Sequence, residues 1–133
     1  MKAVFGMLAL LQAIFFATDV VAQSSYPEKP VRILVGFTPG VAPDITARLL
    51  ADKFTEFWGK AVVVENITGA GGNIATERAA KAAPDGYTLL MAGNASIIFN
   101  PSIYDKLPFD PVKDFAPITQ VFIAANVLAV HGD

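Results

Sequence analysis

The sequence predicts an α/β lobe built on a mostly parallel sheet flanked by helices. Short runs rich in β-branched residues alternate with longer stretches of helical period, and the order reads strand, helix, strand, helix, strand. Glycine-rich turns stand where each strand gives way to a helix. Such an order implies parallel strands joined by right-handed crossovers.

Before the first strand comes "MKAVFGMLALLQAIFFATDVVAQ", which has the parts of an export signal: Lys2, an apolar run from Ala3 to Ala17, and small residues suited to cleavage after Ala22. A membrane anchor is the alternative. The apolar run is shorter than the roughly 20 residues that cross a bilayer, and polar Thr18, Asp19, Gln23, Ser24 and Ser25 follow it. The expected organisation is therefore a cleaved signal over 1–22 and an incomplete first lobe over 23–133, in a periplasmic protein.

"YPEKPVRILVGF" predicts strand one from Val31 to Phe37, a short continuous apolar run of the buried parallel kind. "TPGVAPDITARLLADKFTEFWG" predicts a helix whose inward face carries Ile45, Leu49, Leu50, Phe54, Phe57 and Trp58. Pro43 suits its first position, Asp44 meets the positive end of its dipole, and Gly59 ends it. "KAVVVEN" gives strand two, Ala61 to Glu65. "NIATERAAKAA" gives a second helix with Ile74, Ala75, Ala79 and Ala82 or Ala83 inward, closed by the turn signal "PDG". "YTLLMAG" is strand three. Beyond it the chain is punctuated by prolines, with short helices at most near Pro101 and Val112, and then two apolar stretches, Ile118 to Ala124 and Val127 to His131.

The bulk numbers exclude several classes. A net charge of −2 is too slight to suggest nucleic acid or an anionic membrane surface as partner. With no cysteine, a disulfide framework, a thiolate metal site and a cysteine nucleophile all fall away. The single histidine, His131, reads as an exposed or strand-end residue, and Ser96 and Ser102 have no nucleophile-elbow context. Asp105, Asp110 and Asp114 read as solvated loop charges. No catalytic residue, metal or cofactor is expected.

The turn "ENITGAGGNIATERAAK" is the best candidate site. Counting from Gly69 and Gly71, a dinucleotide fingerprint would need a small residue where Ile74 stands, and a Walker loop would need Lys where Asn73 follows Gly72. What the turn offers is bare backbone at Ala70, Gly71 and Gly72 and a helix start at Asn73, chemistry that suits a carboxylate as well as a phosphate. A tight turn with no ligand is the competing reading. The first turn, "FTPGVAPD", has the same geometry, and parallel strands place both turns at one edge of the sheet. The third strand end adds Asn94 and Ser96 there.

These pieces together resemble a family. "YPEKPVRILVGFTPG", "ARLLADKF", "VVVEN" followed by "GAGGNIA", "KAAPDGYTLL", "NPSIYDKLPFDPVKDFAPIT" and "NVLAV" are similar, in order and spacing, to the periplasmic solute-binding proteins of the tripartite tricarboxylate transporter group, the Bug receptors. The resemblance implies a periplasmic-binding-protein-like (type II) lobe, with the second lobe absent. It implies a receptor that takes a dicarboxylate, tricarboxylate, amino acid or aromatic acid and delivers it to membrane transporter subunits. It carries ligand binding onto Phe37, Thr38, Pro39, Gly40, Ala42 and Asp44 in the first loop. In the second loop the positions are Ala70, Gly71, Gly72 and Asn73, and in the third Asn94, Ala95 and Ser96. The chain departs from the family where Val41 replaces a second glycine and Pro43 a Ser or Thr. Gly36 and Thr38 also replace residues that are often proline.

With one cleft wall, the isolated chain is expected to bind weakly or not measurably, because charged contacts open to water lose most of their strength. Two other readings stand beside the receptor: a nucleotide-binding α/β enzyme fragment using Gly69–Gly72, and a truncated remnant with no function.

Overall fold

The computed structural model describes residues 26–123; the expectations for the signal segment over 1–22, for His131 and for the last apolar stretch lie outside them. Three strands form one parallel sheet: β1 (Val31–Val35), β2 (Val62–Asn66) and β3 (Thr88–Met91), in the order β2-β1-β3. Val31 pairs with Val62 and Ile33 with Val64 on one side of β1; Ile33 pairs with Leu89 and Val35 with Met91 on the other. The strands are shorter or shifted relative to the expected bounds: β1 stops at Val35 rather than Phe37, and β2 runs one residue later. The chain leaves β1 at Gly36 to form the first loop.

Helix α1 (Ala42–Trp58) joins β1 to β2, and helix α2 (Asn73–Ala80) lies between β2 and β3. With β1 in the centre, right-handed crossovers send the two helices to opposite faces of the sheet. The residue pattern agrees. Ile33, Val35 and Met91 form a core with Ala47 and Ala51 of α1, joined by Leu50, Val62, Val64 and Leu89. A β-carbon on Gly36, one residue beyond Val35 and so on the other face, would instead stand 3.4 Å from the Ala75 side chain of α2.

The inward face of α1 corrects the expected stripe. Ala47 and Ala51 are buried and Leu50, Phe54 and Trp58 are half-buried, while Ile45, Leu49 and Phe57 are exposed. The small alanines let the helix approach the sheet closely, and the apolar stripe is wider than the two strands beneath it can cover. Gly59 ends the helix as expected, in the left-handed conformation (φ 64°), its N–H donating to Thr55 O. Pro43 sits one place inside the helix, whose first residue is Ala42.

In α2, Ala75 and Thr76 are buried and Ile74 is exposed, the reverse of the expected placement of Ile74. The Ile74 side chain folds back over Gly69: its Cδ1 would meet a β-carbon there at 2.7 Å. After β3 the chain turns directly into a helical segment. Residues Ala95–Phe99 form a π-helical turn, with Asn100 N–H donating to Ala95 O, and helix α3 (Asn100–Ile103) continues it past Pro101. No helix forms near Val112. Asp110 caps a turn there instead, accepting the Val112 and Lys113 amides at 2.9 and 3.1 Å. Ile118–Ile123 has no regular structure.

Candidate functional site

Parallel strands bring three loop starts to one edge of the sheet, at the carboxyl ends of β1, β2 and β3. At that edge the first two loops touch. A β-carbon on Gly36 would lie 3.0 Å from Gly72 Cα, so the backbones meet with no side chain between them. Ile67 N–H, just past β2, donates to Val35 O at 2.9 Å and fixes the start of the second loop on the end of β1.

The second loop has an unusual backbone. Gly69, Ala70, Gly71 and Gly72 all have positive φ, at 126°, 48°, 63° and 93°. Gly72 N–H donates to Gly69 O and Asn73 N–H to Ala70 O, giving two overlapping turns of the mirror-image type that only such φ values permit. The expected donor set is corrected here: the Gly72 and Asn73 amides are spent inside the turn. The Ala70 and Gly71 amides open the turn and have no partner within it.

The third segment backs this turn through Ser96 and Asn100. Ser96 is buried, with its hydroxyl donating to Gly93 O at 3.3 Å. Asn100 donates from Nδ2 to Asn73 Oδ1 at 2.7 Å, and both residues are buried. Gly71 and Gly72 lie against Asn100 and Ser96. Thr76 Oγ1 donates to Gly72 O at 2.9 Å and holds the turn from below.

In the first loop, Asp44 is 2% exposed and its carboxylate is fully engaged. It accepts from Arg48 Nε at 3.0 Å, Gly40 N–H at 2.8 Å and Asn66 Nδ2 at 2.7 Å. The Arg48 guanidinium, then the Gly40 amide and the Asn66 amide, hold its carboxyl at about 2 against the opposing effect of burial. Phe37 also turns inward, its ring packing over Gly93 in the space a β-carbon there would need.

Of the thirteen residues expected at the site, Thr38, Pro39, Gly40, Ala42, Ala70, Gly71 and Asn94 are exposed. Phe37 and Ala95 are half-buried, and Asp44, Gly72, Asn73 and Ser96 are buried supports. The sequence reading missed Asn66, Arg48 and Asn100. The four-residue spacing of Asp44 and Arg48 along a helix was the available signal for one of them. Two shallow surface hollows, about 610 and 340 Å³, lie at the opposite edge, against Phe54 and Phe57 and against Lys29 and Tyr87. The loops themselves form an open ledge.

This fold, with donor loops gathered at one sheet edge, is that of a lobe of a periplasmic solute-binding protein. Residues 46–133 match the family model described as tripartite tricarboxylate transporter family receptor, and the chain belongs to that family. It is 38% identical over 130 residues to Protein BugT of Bordetella pertussis, an alignment that takes in 94% of this chain and 40% of BugT. The periplasmic binding protein BugD is similar in structure, with a TM-score of 0.63 and 42% identity over 70% of this chain and 31% of BugD. MatC from Rhodopseudomonas palustris with bound malate is similar too, with a TM-score of 0.58 and 37% identity over 69% of this chain and 31% of MatC. The chain spans 40% or less of the length of the curated relatives it matches.

Proposed function

We propose that the chain is the first lobe of an exported receptor that captures a small organic acid and presents it to the membrane subunits of a tripartite tricarboxylate-type transporter, without converting it. The left-handed turn at Gly69–Gly72 carries this reading. It leaves the Ala70 and Gly71 amides outside the turn's own hydrogen bonds, beside the amino end of α2, and both residues are exposed. A carboxylate needs two convergent donors of this kind, and a helix start adds favourable potential. The malate bound in a protein of similar structure supports a carboxylate as the ligand class; dicarboxylates, tricarboxylates, amino acids and aromatic acids all present that group.

The amino-terminal 1–22 segment supplies export in this reading and is removed on the way to the periplasm. Mass spectrometry of secreted material tests it: a mature start at Gln23 supports the signal, and an intact Met1 start in the membrane fraction opposes it.

Binding itself is tested by titrating the isotope-labelled chain with malate and following backbone amides. Millimolar malate should move the Ala70 and Gly71 resonances, while ATP should not. Equal movement with ATP, or malate-induced movement that leaves Ala70 and Gly71 in place while other amides shift, would sink the proposal.

A further inference from the structure

The two loops of the ledge are joined by side chains that lie behind it. Asn66, the last residue of β2, spends Nδ2 twice, on Phe37 O at 3.1 Å and on Asp44 Oδ1 at 2.7 Å. Its Oδ1 accepts from Arg48 Nη2 at 2.8 Å. Arg48 also reaches Asp44 Oδ1 at 2.9 Å, and Asp44 holds the Gly40 amide. One carboxamide therefore contacts the first loop's backbone, the carboxylate at the start of α1 and the guanidinium one turn later. The next residue along, Ile67, begins the second loop and is itself bonded to Val35 O. Between these ties sits Gly36, whose α-carbon rests on Gly72.

Resting on the carboxylate-binding reading above, we propose that Asn66, Asp44 and Arg48 form a positioning unit that sets the first loop on the second before any ligand arrives. Asp44 is then an internal anion rather than a ligand contact. It occupies the place near the amino end of α1 that a bound carboxylate would otherwise take. Arg48 cancels its charge, so that an approaching acid is not repelled at short range. The acid group of the ligand is left to the second loop, and the first loop serves as a wall held at a set distance from it.

The test uses the whole chain without ligand, in three forms: Asn66→Ala, Asp44→Asn, and Asp44→Asn combined with Arg48→Gln. Amide exchange at Gly40 and the shifts of Gly71 and Gly72 are the readouts. Asn66→Ala should shift Gly71 and Gly72 as well as Gly40. It should also speed exchange at Gly40 by about tenfold, the factor that corresponds to about 1.4 kcal/mol for one lost charge-assisted bond. Asp44→Asn alone leaves Arg48 without its counter-charge and should disturb both loops. The double variant restores a neutral donor-acceptor match and should return the Gly71 and Gly72 shifts most of the way to the parent values. Effects confined to the neighbours of residue 66, or a lower melting temperature with Gly71 and Gly72 unmoved, would reduce the trio to ordinary structural residues. Should Asn66→Ala fail to fold, the comparison between the Asp44→Asn single and double variants decides. A parent chain whose Ala70 and Gly71 amides answer to ATP as strongly as to malate would sink the binding reading while leaving the ligand-free comparison intact.

Discussion

The Gly36 α-carbon backs directly onto Gly72, so close that a β-carbon added at Gly36 would stand 3.0 Å from the Gly72 α-carbon and 3.4 Å from the Ala75 side chain. The atom in the way is backbone and cannot swing aside. Gly36→Ala should destabilise the fold by about 1–3 kcal/mol, as overpacking of a tight site does. Urea unfolding measures it, and a change within experimental error would mean that the loops part freely.

Ala70 adopts φ 48°, in the left-handed region where a β-carbon crowds the following carbonyl. Ala70→Gly removes that crowding at a modest entropic cost in the unfolded chain. A net gain of about 0.5–1 kcal/mol is expected. Thermal unfolding should show a higher midpoint; a lower one would place the strain elsewhere in the turn.

Asp44 makes stability depend on acid. Its carboxyl is held at about 2 in the fold, below the usual carboxylate value of about 4 in an unfolded chain. A depressed folded value contributes stability above the unfolded one, and that contribution is lost as pH falls from about 4 toward about 2. Asp85, lowered by Lys29 and the Tyr87 amide, and Asp110, lowered by the Val112 amide and Lys113, act in the same direction. Asp44→Asn should therefore flatten the acid limb of the unfolding profile without abolishing it. An unchanged acid limb would show that the carboxylate is not held as described.

Phe57 and Leu34 should respond in opposite ways to truncation. Phe57 is 84% exposed, so Phe57→Ser is expected to change stability by no more than about 0.5 kcal/mol. Leu34 is fully buried in the central strand, and Leu34→Ala should cost about 2–5 kcal/mol. Denaturant titration of the two variants side by side checks the pair; comparable losses would mean that Phe57 is covered in solution.

The strand-helix order and the shared sheet edge were legible because periodicity, β-branched runs and glycine placement are local properties of the chain. The inward face of α1 was legible only in part. Hydrophobic spacing marks every apolar residue on the helix, but which of them are covered depends on how many strands lie beneath. That is why Ala47 and Ala51 displaced Ile45 and Leu49 from the core. The glycine turn was recognisable as exposed backbone, yet its hand was not, and the hand decides which amides are spent inside it. Ser96 and Asn73 read as polar site residues because polarity says nothing about burial; their partners, Gly93 and Asn100, become neighbours only through the helical turn that follows β3. Asn66 was hidden for a related reason. It looked like the tail of a strand, and its importance comes from Phe37 and Asp44, distant in the chain and adjacent in the fold.

The central position of β1 also sets an order of assembly. Its pairing with β2 joins Val31 to Val62, whereas its pairing with β3 joins Arg32 to Thr88, 56 positions apart. Closing the longer loop costs about 0.5 kcal/mol more chain entropy. It also has to wait until more of the polypeptide has been synthesised. The β1-α1-β2 unit can therefore dock as a nucleus, with Arg48 and Asn66 locking it, before β3 arrives. The first two loops would then meet early in folding, and the Ser96–Asn100 segment that backs the glycine turn would be fitted after them.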